Sequence, residues 1–73
     1  MSVFALVGDE LRGWLAAAIE HAGISRVEFE RLHADVPVLA SEIEQICRTV
    51  PSGQAWMWAA MGAIEWAKSQ RNP

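Results

Sequence analysis

The sequence predicts an all-α fold, a small bundle of about four short helices, and three observations predict it. Ala, Leu, Ile, Trp and Glu recur at spacings of three and four, the repeat that lines one face of a helix. No alternating apolar and polar run is long enough to read as a strand. Helix-starting and helix-stopping residues also punctuate the chain at intervals suited to short helices.

The first helix is expected from Asp9, read as its N-cap, to about Ala22, with Gly23 as a left-handed C-cap. Leu11, Trp14, Leu15, Ala18, Ile19 and Ala22 fall in one stripe at 100° per residue, whereas Arg12, Glu20 and His21 fall outside it. Ahead of it lies an apolar arm, residues 1–8. Ser25-Arg26-Val27-Glu28 reads as a capping box that opens a second helix, with Phe29 and Leu32 turned inward.

Ala34-Asp35-Val36-Pro37 breaks that helix, because proline disfavours the α conformation at the residue before it. Asp35 is then expected to cap a third helix reaching about Arg48. Leu39, Ile43 and Ile46 face inward, and Ser41, Glu42, Glu44 and Gln45 face outward. Cys47, next to Ile46, reads as a small buried hydrophobe. Val50-Pro51-Ser52-Gly53 is a turn, with Ser52 the expected N-cap of a last helix from Gly53 to about Ser69. Residues 70–73 are expected as a frayed tail. The predicted core is Trp14, Leu15, Ile19, Phe29, Leu32, Leu39, Ile43, Ile46, Trp56 and Ile64.

Seventy-three residues allow one domain, residues 1–73, of marginal stability. An apolar share of 52% with only 3 Pro and 5 Gly argues against disorder. The lone Cys47 closes no internal disulfide and belongs to no zinc-type spacing, which fits a reducing cytoplasm. The apolar start lacks a positive flank and stops at Gly8-Asp9-Glu10, so it does not read as a signal peptide. No run reaches the roughly 18 to 20 apolar residues of a membrane span.

A net charge of −3 disfavours nucleic acid as a direct ligand, since phosphate contacts are made by cations. No nucleophile elbow, zinc-protease or P-loop motif occurs, and His21 and His33 fall on different helices. The expectation is therefore a non-enzymatic protein with no metal and no cofactor.

The run Gly23-Ile24-Ser25-Arg26-Val27-Glu28-Phe29-Glu30-Arg31-Leu32 resembles the entry to a helix-turn-helix of the Cro/lambda-repressor type, and Val50-Pro51-Ser52 before an apolar closing helix is also similar to that family. The likeness spans roughly residues 10–66. It implies a helix-turn-helix-like arrangement in which the segment Val36 to Gln45 is the recognition helix and Val38, Leu39, Ser41, Glu42 and Gln45 face the groove. The sequence departs from the family at Glu30, where a small residue is usual, and at Ala34, where glycine is usual. That segment also carries no Arg or Lys, the residues that read guanine and meet phosphates.

The last helix carries the strongest functional signal. Ala60, Ala63, Ile64 and Ala67 cluster within about 80° of Trp56, while Trp58 and Trp66 lie with Ala55, Ala59 and Gly62 on the other side. A helix that is apolar nearly all round needs a second cover: the arm Val3 to Val7 folded back, a partner, or both. Trp is a frequent interface anchor. Acidic residues Glu28, Glu30, Asp35, Glu42 and Glu44 concentrate in the middle helices, and Arg48, Lys68 and Arg71 lie towards the end.

The function expected from these features is a small regulator, an inhibitor or adaptor of the kind phages direct at their hosts. It would bind a protein of a nucleic-acid-processing machine such as transcription, through Trp58, Trp66, Ser41, Glu42, Glu44 and Gln45. One alternative, carried by the resemblance, is a homodimeric DNA-binding regulator using Arg26, Arg31, Ser41, Gln45 and Arg48. Another is a structural subunit of a helical assembly.

Overall fold

The computed structural model describes residues 7–71. They form α1 (Asp9–His21), α2 (Arg26–Asp35), α3 (Val38–Thr49) and α4 (Gln54–Arg71), with no strand among them. The all-α bundle expected from the periodicity is the observed fold.

Asp9 is not the cap of α1 but its first helical residue. Gly8 holds the cap position in extended backbone (φ −70°, ψ 166°), and its carbonyl accepts from the amides of Leu11 and Arg12. Asp9 instead sits beside the positive end of the helix dipole and pairs with Arg12 at 3.2 Å. At the other end Gly23 is left-handed (φ +75°), its amide reaching the Glu20 carbonyl and that of Ile24 the Ile19 carbonyl. This is the two-bond C-terminal motif that glycine permits.

Ser25 caps α2 as expected, its hydroxyl oxygen accepting from the Glu28 amide at 3.1 Å. The helix takes in Ala34 and Asp35 before it stops at the residue preceding Pro37, so Asp35 is its last residue rather than the cap of α3. Only Val36 leaves the helical region (φ −124°, ψ 83°), and Pro37 holds the N-cap position of α3 with its φ already at −58° and no side-chain cap. Asp35 is used elsewhere: its carboxylate meets Arg71 at 3.3 Å. That tie accompanies a longer α4 than expected, with Gln70 and Arg71 helical rather than frayed. Residues 72 and 73 lie outside the described residues.

The start of α4 also differs. Gly53, at φ +115°, precedes the helix rather than opening it, and its carbonyl accepts from the Met57 amide. The Ser52 hydroxyl donates to Glu10 at 2.7 Å, tying the α3–α4 turn to the first turn of α1.

α4 packs against each of the other three helices. Around it Trp56, Phe29, Leu15, Leu32, Leu39, Ile43 and Ile64 are fully buried, and Ala18, Ala60 and Ala67 keep the helix contacts close. Each of the larger side chains contributes about 1.5 to 3 kcal/mol by leaving water. Nine of the ten predicted core residues are buried; Trp14 is only partly covered. Met57, about 100° round the helix from Trp56, is buried as well. Ala63, expected in the core, is half-covered, and Cys47, expected to be buried, is exposed on the outer side of α3. Of the arm, Val7 is buried in the core; the rest of the proposed cover, Val3 to Leu6, lies outside the described residues.

Candidate partner-binding surface

The four tryptophans divide by burial. Trp56 is 0% exposed, whereas Trp58 and Trp66, about 160° and 80° round the same helix from it, are 46% and 43% exposed. Eight residues of helix separate the two by about 80° around the axis, and they meet different neighbours. Trp58 lies against His21 of α1, ring centroids 5.4 Å apart and planes tilted by 44°. Trp66 faces α3.

There it lines an open groove of about 530 Å³ with Glu42 and Ile46 of α3 and Ala59, Gly62 and Ala63 of α4. The small residues stand at spacings of three and four, so their lack of bulk adds into one trough. Gly62 is exposed, and a Cβ placed on it would meet no atom within 4 Å. The fold itself therefore does not require glycine there.

The acidic face expected of α3 is split by the helix. Ser41, Glu44, Gln45 and Arg48 follow at i, i+3, i+4 and i+7 and form one outward stripe, on which Arg48 donates to Glu44 at 2.8 Å. All four are exposed. Glu42, one position round from Ser41, belongs to the groove, and it pairs with no cation among the described residues. Of the six residues expected to bind a partner, then, Glu42 and Trp66 share one site. Ser41, Glu44 and Gln45 form another stripe, and Trp58 stands apart beside α1.

Of the residues in the DNA-binding alternative, Arg26 and Arg31 are exposed on α2 and Arg48 is engaged by Glu44. Two buried polar atoms, His33 Nε2 and Trp56 Nε1, have no hydrogen-bond partner among the described residues. Among the same residues no group of three His, Cys, Asp or Glu is placed to hold a metal ion, and no helix is long and apolar enough to cross a membrane. The exposed Cys47 is the one cysteine of the chain.

Sequence reasoning grouped Ala59 and Gly62 with Trp66 but placed Glu42 on a separate surface, and it assigned Ile46 and Ala63 to the core rather than to the groove. The available signal was angular: Glu42 is about 100° from Ser41, and Trp66 about 80° from Trp58. Comparison with protein-family models, curated proteins and solved structures finds no significant match.

Proposed function

We propose that this chain is a small non-enzymatic regulator, an inhibitor or adaptor, that works by binding another protein through the outer face of α4. The observation that carries this reading is the pair of tryptophans, 46% and 43% exposed, whereas the other large aromatics among the described residues, Trp14, Phe29 and Trp56, are buried or partly covered. Large exposed apolar side chains beside a groove are a common mark of an interaction surface, and tryptophan is over-represented among the residues that dominate binding. The helix-turn-helix resemblance points to a partner within a nucleic-acid-processing machine such as transcription.

The test compares capture of proteins from lysate by wild type, Trp58→Ala and Trp66→Ala, each first confirmed as folded by circular dichroism. A specific protein retained by wild type and released by either variant supports the reading. Equal capture by all three overturns it, as does sequence-selective duplex DNA binding in a parallel titration.

A further inference from the structure

Resting on that partner-binding reading, we infer that the α3–α4 groove accepts a basic amphipathic helix: apolar side chains enter the trough and a lysine or arginine pairs with Glu42.

The shape argument starts from Gly62. It lies inside an 18-residue helix, where glycine weakens the helix relative to alanine, and no neighbouring atom excludes a side chain. Its effect is on the outside: with Ala59 and Ala63 it keeps the trough open between Ile46 and Trp66. A trough walled by two helices and floored by small residues admits the ridge of a third, in the helix-in-groove manner. Its volume is that of ordinary binding pockets, which hold a few side chains.

The charge argument selects the occupant. The cations of the two groove helices are already committed, Arg48 to Glu44 at 2.8 Å, Lys68 to Glu65 at 3.5 Å and to the Ala22 carbonyl at 3.0 Å, and Arg71 to Asp35 at 3.3 Å. Glu42 has no such partner among the described residues, and the chain as a whole carries −3. A second copy would bring a second Glu42 and the same negative charge. A basic helix supplies the missing cation at the rim, and its charge also lies within reach of the Trp66 face.

The probe is a synthetic helical peptide with leucine at i, i+3, i+4 and i+7 and lysine at its polar positions, beside an isomer with glutamate for every lysine. Affinity is read by titration calorimetry and the site by amide shifts of the labelled protein. The lysine peptide is expected to shift Glu42, Ile46, Gly62 and Trp66, and the glutamate peptide to bind about tenfold more weakly or worse. Gly62→Leu should weaken the lysine peptide by about tenfold, and Glu42→Gln should weaken it more than Glu20→Gln, an exposed acid on α1. Should Gly62→Leu not fold, the Glu42 and Glu20 pair still decides. Equal losses from Glu42→Gln and Glu20→Gln, shifts outside the groove, or no effect of Gly62→Leu in a folded protein each overturn the inference. So does a dimer in sedimentation that Gly62→Leu dissociates. A native partner that needs Trp58 but ignores Gly62→Leu would leave the partner-binding reading standing and remove this one; a partner indifferent to all of these variants removes both.

Discussion

The Lys68 ammonium donates to the Ala22 carbonyl at 3.0 Å, across 46 residues of sequence. Ala22 is the C-cap of α1, so a cation of α4 satisfies one of the carbonyls that a helix end leaves without an intrahelical donor. It also stands at the negative end of the α1 dipole. With Ser52 and Glu10 at the other end, both ends of α1 are held by polar contacts from the α4 side of the fold.

Replacing Lys68 with Met should destabilise the protein by about 1 kcal/mol, less than the roughly 1.5 to 3 kcal/mol of a buried hydrogen bond from a charged donor because the side chain is partly exposed. Glu65→Gln, which removes only the surface partner of Lys68, should cost a few tenths at most. Urea midpoints of the two variants would separate the roles. Equal losses would show that the ion pair, not the carbonyl contact, is what matters.

Ser25→Ala removes the side-chain acceptor of the Glu28 amide at the start of α2. The expected loss is about 1 kcal/mol, measurable as a lower thermal midpoint. An unchanged midpoint would mean that water caps that amide equally well.

The glycines should respond in opposite directions. Gly62→Ala should stabilise the free protein by about 0.5 to 1 kcal/mol, since the site is helical and open. Gly23→Ala should destabilise it by about 1 to 2 kcal/mol, because φ +75° crowds a Cβ against its own backbone. Thermal unfolding of both variants checks the pair.

Trp56→Ala should cost about 3 to 5 kcal/mol of stability. Removal of an indole N–H that has no acceptor among the described residues works against that loss. Trp58→Ala and Trp66→Ala should cost much less stability, yet weaken partner association by about 2 kcal/mol or more. Unfolding by denaturant, set beside binding measurements, distinguishes the two kinds of tryptophan. If all three unfold the protein alike, the outer face of α4 is structural.

Duplex DNA should bind weakly or not at all at physiological salt. Glu42 and Glu44 would repel phosphates, and Arg48 is held by Glu44. Fluorescence titration at two salt concentrations is the check; submicromolar, salt-sensitive binding would instead favour the helix-turn-helix alternative.

The helices were legible in the sequence because burial of Leu15, Phe29, Leu32, Ile43 and Ile64 repeats at the helical period. Their ends were less so. A cap is decided by competition for a side chain: Asp35 was drawn to Arg71 and Ser52 to Glu10, partners that only the folded chain brings near. The groove was illegible for a related reason. Periodicity assigns each residue an angle on its own helix, but Glu42 and Trp66 meet only because α3 packs beside α4, and no local pattern specifies which outer faces become neighbours.

The dominance of α4 in the packing has a consequence in time. A ribosome delivers α1, α2 and α3 before the helix that each of them packs against. Phe29, Leu32, Leu39 and Ile43 emerge without Trp56, Ile64 or Ala67 to close over them, so the nascent helices have only weak mutual contacts to hold them. The core closes once α4 has cleared the exit tunnel, in a single late condensation rather than stepwise from the N-terminus. Until then these apolar faces are open to chaperones and proteases alike.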